Sequence, residues 1–153
     1  MYKKKFSKEK FKIFHPGGNI GKSLLLAKDI MVDGSKMPTV DYKSSFKKVL
    51  KIMNEKKLGV VVILKNKFIK GLITDGDLRR DFKNLNRKDS FDDYITKVPQ
   101  IVNISMTASK ALAIMNEKKI TSLLVVSDKD ITKKNKKLIG IIHIHSLLQS
   151  GIK

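Results

Sequence analysis

The heptapeptide Thr74 to Arg80, TDGDLRR, puts one hydroxyl, two carboxylates and two guanidinium groups directly behind a strand-like run, GLIT. If the strand ends at Thr74 and a helix starts at Asp75, the N–H groups of the first turn and the Thr74 hydroxyl favour an anion. Asp77, on the same turn, offers a carboxylate that accepts from two vicinal hydroxyls of a ribose, and Gly76 keeps side-chain bulk away. Arg79 and Arg80 supply planar forks that grip phosphate or carboxylate through paired hydrogen bonds. Together these groups make a phosphate seat and a sugar clamp. Thr74-x-x-Asp77 also has the pattern of a capping box, in which Thr caps the helix and the acid reaches back to the Thr N–H. The cap accounts for Thr74 and Asp77 but not for Asp75 or the arginines, so a ligand site and a helix cap both stand as readings.

The arginines are conspicuous against the composition. Of 33 basic residues only Arg79, Arg80 and Arg87 are not lysine, and the formal net charge is +19. Such charge raises a nucleic-acid hypothesis. The lysines, however, are spread over every segment, without the aromatic interleaving or zinc-finger spacing of a groove or strand binder. A solvated lysine surface is the reading, and no sequence-specific nucleic-acid partner is expected. There is no cysteine, hence no disulfide, zinc-thiolate site or thiol nucleophile. The basic start MYKKKFSKEK is followed by charged residues where a secretory signal needs an apolar stretch, and the longest apolar run, Leu58 to Leu64, is too short for a bilayer. A cytoplasmic protein without a membrane partner is expected.

The elements that must hold TDGDLRR in place occur twice. The string IMNEKK at Ile52 to Lys57 returns unchanged at Ile114 to Lys119, an offset of 62. Phe46, Val49, Leu50 and Met53 fall at helical spacing, and Ala108, Ala111, Leu112 and Met115 repeat it, with Ser44 or Ser45 and Thr107 as N-cap candidates. After each helix come two β runs, GVVVIL then FIKGLIT, and SLLVVS then KLIGIIH. Aligning Gly71 with Gly140 leaves seven extra residues in the second copy, assigned to the loop around DKDITKKN. Each copy therefore reads as short strand, helix, strand, strand, helix, with the short strands near Thr39 to Val40 and Gln100 to Val102. Apolar segments, SLLLAKDIM and FDDYI, precede the copies. Because each half exposes apolar β surface, the halves are expected to pack through their sheets about a pseudo-twofold axis.

This doubled unit, with its Gly-apolar-apolar-Thr-x-x-Asp segment, resembles a tandem pair of CBS domains, a Bateman module of α+β class. TDGDLRR, KDIM, LGVVVI and ITSLLVV further resemble the regulatory half of arabinose 5-phosphate isomerases, and FHPGGNIGKSLLLAKDIM resembles the junction where their sugar isomerase domain ends. The resemblance implies residues 1–23 as a remnant of that domain and linker, 24–83 as the first repeat, 84–91 as a linker and 92–153 as the second repeat. It implies a regulatory nucleotide or nucleotide-sugar ligand, CMP-Kdo or an adenine nucleotide, no required cofactor, and homodimers of the module. The ligand contacts it points to are Thr74, Asp75, Gly76, Asp77, Arg79 and Arg80 with Thr39, Ile120, Ser122 and His143. His15, in HPGG, matches the family's catalytic acid/base but stands without its catalytic domain, so no enzymatic activity is expected of this chain alone.

The second copy departs from the pattern, carrying His143 and Ser146 where Thr74 and Asp77 stand. One competent site is expected, or an asymmetric cleft to which the second half contributes Ile120 as an apolar wall and Ser122 as a polar group. His143 and His145 share the i, i+2 spacing of a metal-binding pair, but no third ligand is near in sequence. A structural or ligand-contacting role is assigned to them, and no metal.

Overall fold

A computed structural model describes residues 21, 24–81, 90–96 and 98–153. His15 and residues 84–89 of the linker 84–91 lie outside the described residues. A one-turn helix α1 (Ala27–Ile30) leads into the first repeat: β1 (Thr39–Asp41), α2 (Phe46–Lys56), β2 (Val60–Lys65), β3 (Phe68–Thr74) and α3 (Asp75–Arg80). The second repeat follows the same order with β4 (Ile101–Asn103), α4 (Ala108–Lys118), β5 (Ser122–Val126), β6 (Gly140–His143) and α5 (Ile144–Gln149). Local signals set these limits. Ser45 and Thr107 accept from the N–H groups of Lys48 and Lys110, and both long helices end on a left-handed lysine, Lys57 and Lys119, at φ 55° and 54°.

Each repeat forms a three-stranded sheet whose first strand runs parallel to the second and whose third runs antiparallel to it. Alternation along the strands divides the core in three, because successive side chains point to opposite faces. Val61, Ile63 and Ile73 pack with Phe46 and Val49 of α2; Leu123, Val125 and Ile142 pack with Ala111, Leu112 and Met115 of α4. The intervening Val60, Val62, Leu72, Leu124 and Ile141 form one cluster between the two sheets. The expected α+β pair packed sheet to sheet is therefore the observed architecture.

The apolar segments ahead of the two copies are exchanged. Val32, just after α1, bridges Ile141 of the second repeat through two backbone hydrogen bonds of 2.8 and 2.9 Å, and Ala27 is fully buried in that repeat's core. Reciprocally, Thr96 bridges Leu72 of the first repeat at 2.8 and 3.2 Å, and Tyr94 stacks on Phe46 at a centroid distance of 5.6 Å. The crossings explain the aligned glycines. A Cβ at Gly71 would lie 2.5 Å from Ile95 Cγ2 and from the Thr96 carbonyl oxygen, and one at Gly140 would lie 2.3 Å from Met31 Sδ. Only a residue without a side chain lets the exchanged segment lie on the strand.

The hairpins differ most. β2 and β3 are joined by Asn66 and Lys67, both at positive φ, as a two-residue turn requires. The corresponding connection in the second repeat carries the inserted loop. It returns across the pair, where Ile69 N–H donates to the Lys136 carbonyl at 2.9 Å and Phe68 bridges Lys137.

Candidate functional site

The strand-to-helix junction forms as its sequence indicates. Thr74 caps α3: its hydroxyl accepts from Asp77 N–H at 3.1 Å, while Asp77 Oδ2 accepts from Thr74 N–H at 3.1 Å and from the Thr74 hydroxyl at 2.8 Å. The capping box is thus realised in full. The first-turn amides are engaged more than the sequence led us to expect. Asp77 N–H is spent on the cap and Asp75 N–H donates to the Gly59 carbonyl at 2.9 Å, because the chain entering β2 passes close beside the helix start. The expectation of open first-turn donors at these two positions is corrected accordingly. The arginines also have local partners. Arg79 pairs with Asp75 at 2.8 Å and Arg80 pairs with Asp77 Oδ1. Both guanidiniums are largely exposed, so each pair contributes little to stability and is exchangeable.

This junction borders a cleft of about 510 Å³ between the two repeats. From the first repeat it is lined by Thr74, Asp75, Gly76, Asp77 and Arg80 over the apolar side chains of Val60 and Leu72. From the second come Ile120, Thr121 and Ser122 at the start of β5, with Lys118 and Lys119 at the end of α4. The segment Val98, Pro99 and Gln100 closes one side. The Ser122 hydroxyl oxygen is buried without a hydrogen-bond partner among the described residues. Leaving a buried hydroxyl unsatisfied costs roughly 1–3 kcal/mol, a deficit that a polar atom arriving in the cleft would remove. The lining holds two carboxylates against three cations, Arg80 on their own side and Lys118 and Lys119 on the other, so its balance is positive.

The structure therefore brings together Thr74, Asp75, Gly76, Asp77, Arg80, Ile120 and Ser122. Arg79 instead borders a separate crevice of about 630 Å³ with Leu50, Met53, Lys57 and Gly59. Thr39 stands on β1 opposite Val62 and does not line the cleft. His143 is 8% exposed, lies across the ladder from Ser122 and is likewise not part of the lining. Its Nδ1 accepts from His145 N–H at 3.2 Å, and the two rings lie 4.8 Å apart. Burial, and then the neighbouring His145, hold the His143 imidazole below its ordinary pKa. Among the described residues no cluster of three or more metal-ligating side chains forms. Nor is any described helix long and apolar enough to cross a membrane.

Lys118, Lys119 and Gln100 escaped the sequence reading. The signal was present in the repeated IMNEKK, whose two lysines end each long helix. The pairing of α4's end with α3's start, across the repeats, was not visible in either copy alone.

Comparison with known proteins agrees with this architecture. The sequence profile described as CBS domain matches residues 27–84 and 91–152. The arabinose 5-phosphate isomerase KdsD of Yersinia pestis is 38% identical over 152 residues, covering 96% of this chain and 44% of the isomerase. The chain thus spans about half the length of the curated relatives it matches. The crystal structure of CBSX2 in complex with AMP superposes with a TM-score of 0.68 at 22% identity, over 83% of this chain and 96% of that one. A CBS domain pair in complex with 5-methylthioadenosine and S-adenosyl-L-methionine gives 0.69 at 17% identity, over 82% and 94%. Two profile matches, two sheets of identical topology and a reciprocal exchange of the leading segments place this chain in the CBS domain family, as a tandem pair.

Proposed function

We propose that the cleft between the repeats is a regulatory nucleotide site, and that this chain is the ligand-sensing half of an arabinose 5-phosphate isomerase of the Kdo and lipopolysaccharide precursor pathway. The observation that carries the reading is the cleft itself. A partnerless Ser122 hydroxyl and apolar walls face Asp77, with Arg80, Lys118 and Lys119 at the rim. A base packs on Val60, Leu72 and Ile120, and Ser122 gains a partner. Asp77 Oδ1 exchanges the exposed Arg80 for ribose hydroxyls while Oδ2 keeps the cap, and Arg80 is released toward the phosphate. This exchange reconciles cap and ligand site, since the two roles use different oxygens of one carboxylate.

CMP-Kdo is the first candidate. It joins a ribose and a phosphate to a carboxylate, and the likeness to arabinose 5-phosphate isomerases supports feedback by that pathway's activated product. An adenine nucleotide is the second reading, favoured by the AMP and adenosyl ligands named for the superposable structures. The ligand acts on a cytoplasmic homodimer, and catalysis belongs to the sugar isomerase domain of a full-length parent, of which residues 1–23 with His15 are a remnant. Ligand-dependent thermal stabilisation tests the reading. Ligand at about a hundred times its dissociation constant stabilises the native state by roughly 2.7 kcal/mol. The shift is expected with CMP-Kdo, AMP or ATP and is expected to shrink strongly in Asp77→Ala. If none of the three shifts the transition, or if Asp77→Ala responds as the parent does, the cleft is not a nucleotide site.

A further inference from the structure

Beside the candidate cleft, on the far side of Val98, Pro99 and Gln100, lies a second chamber of about 470 Å³. Those three residues line both spaces, so the chambers share one partition. Their chemistry differs. The cleft holds Asp75 and Asp77 against its cations; the second chamber is lined by Lys134 and Lys136 with Ile69, Ile101 and Ile131 and has no acid among its described lining residues. Both lysines come from the inserted loop of the second repeat. The loop is tied down at several points. Ile69 N–H donates to the Lys136 carbonyl at 2.9 Å, Asp130 N–H to the Ser127 hydroxyl at 3.2 Å, and the Ser105 hydroxyl to Asp128 at 2.7 Å. Of the two acids in the turn, Asp130 is neutralised by Lys133 at 2.7 Å and Asp128 is the acceptor of the Ser105 hydroxyl. Neither acid lines the chamber, so Lys134 and Lys136, whose Nζ also donates to the Lys133 carbonyl, set its sign.

We propose that this chamber is an anion subsite continuous with the cleft, and that the ligand of this chain is a nucleotide bearing a second anionic group beyond its first phosphate. The inference rests on the nucleotide reading of the cleft and adds the class of ligand. A nucleoside monophosphate fills the cleft alone. A nucleoside triphosphate, or a nucleotide joined to a sugar acid, passes Val98, which is 83% exposed at the partition, and places its distal phosphate or carboxylate between Lys134 and Lys136. The insertion that distinguishes the second repeat thereby acquires a role in selecting the ligand.

Calorimetric titration of the full chain with AMP, ATP, CMP and CMP-N-acetylneuraminate, at one fixed salt concentration, tests this. Within each pair the longer ligand is expected to bind about tenfold more tightly, the gain of one charge-assisted hydrogen bond. Lys134→Ala/Lys136→Ala is expected to abolish the ratio while AMP and CMP bind as before, and Lys134→Ala alone to reduce it. Lys47→Ala/Lys48→Ala on α2, which removes the same charge elsewhere, is expected to preserve it. ATP above AMP alone identifies a phosphate as the distal group, and the sugar acid above CMP alone identifies a carboxylate. Equal affinities within both pairs, or a ratio that survives the double loop variant or falls equally in the α2 variant, overturns the subsite and leaves the cleft reading intact. Failure of all four ligands to bind overturns both.

Discussion

The two strand-to-helix junctions occupy equivalent places in the repeats and are built differently. In the first, Thr74 and Asp77 close a reciprocal cap with one carboxylate oxygen left to an exposed, exchangeable arginine. In the second, His143 caps α5 through its ring nitrogen and is buried against the sheet. No charge is left over at that cap. The repeats also meet the cleft differently: the first brings acids and Arg80, the second brings a partnerless hydroxyl and two lysines. A duplicated fold thus needs only one complete junction, because the other copy supplies the opposite wall. What both copies must keep is the glycine on which the partner's leading segment lies.

That last statement gives the largest expected effect. Gly71→Val and Gly140→Val each drive a side chain into an exchanged segment. Each is expected to cost about 3 kcal/mol, at the upper end of overpacking, in urea denaturation. Equal penalties mean that both halves depend on the exchange alike. A loss below about 0.5 kcal/mol in either would show that the crossing yields easily.

Next in size is the contrast between the caps. Asp77→Ala is expected to lower the stability of the free protein by about 1 kcal/mol through loss of the box, whereas Ser146→Ala at the equivalent place stays within about 0.5 kcal/mol. Equal losses would remove the asymmetry from the account. Ser122→Ala works in the opposite direction. Deleting an unsatisfied buried hydroxyl is expected to leave the free protein unchanged or stabilise it by up to about 1 kcal/mol, while reducing the stabilisation by ligand. A destabilised free variant would mean that the hydroxyl already has a partner in solution.

The smallest effect concerns pH. Since the folded-state pKa of His143 is depressed, the unfolded chain binds its proton first. The contribution to stability is intact above the ordinary histidine pKa of about 6.5 and is lost as pH falls through the lower folded value. Chemical denaturation at successive pH values is expected to show a decline below pH about 6.5 that is shallower in His143→Gln. Parallel profiles for parent and variant would assign the decline to other groups.

Much of this was legible in the residues. IMNEKK and the helical spacing around it announce the duplication, and the strands alternate two apolar faces, one for the helices and one for the other sheet. Ser45, Thr107 and Thr74 are caps in sequence and in structure. The exchange of SLLLAKDIM and FDDYI was not legible, because an apolar segment adjoining a repeat carries no mark of which repeat it covers. Only Gly71 and Gly140 hinted that something crosses there. The partners of Arg79 and Arg80 were legible in principle, as i, i+4 and i, i+3 ion pairs on α3. Of the cleft's far wall, Ile120 and Ser122 were legible, but Lys118, Lys119 and Gln100 were not, since they come to share a cleft with Asp77 only through the packing of the two sheets.

The central claim is one nucleotide cleft per chain, built jointly by unlike halves. Isothermal titration with AMP and with CMP-Kdo, on the parent, Asp77→Ala and Ser146→Ala, tests it most directly. The account predicts one ligand per chain for at least one of the two nucleotides, affinity reduced about tenfold or more by Asp77→Ala through loss of a charged acceptor, and affinity unchanged by Ser146→Ala. Two ligands per chain, or an Asp77→Ala variant that binds as tightly as the parent, would contradict it.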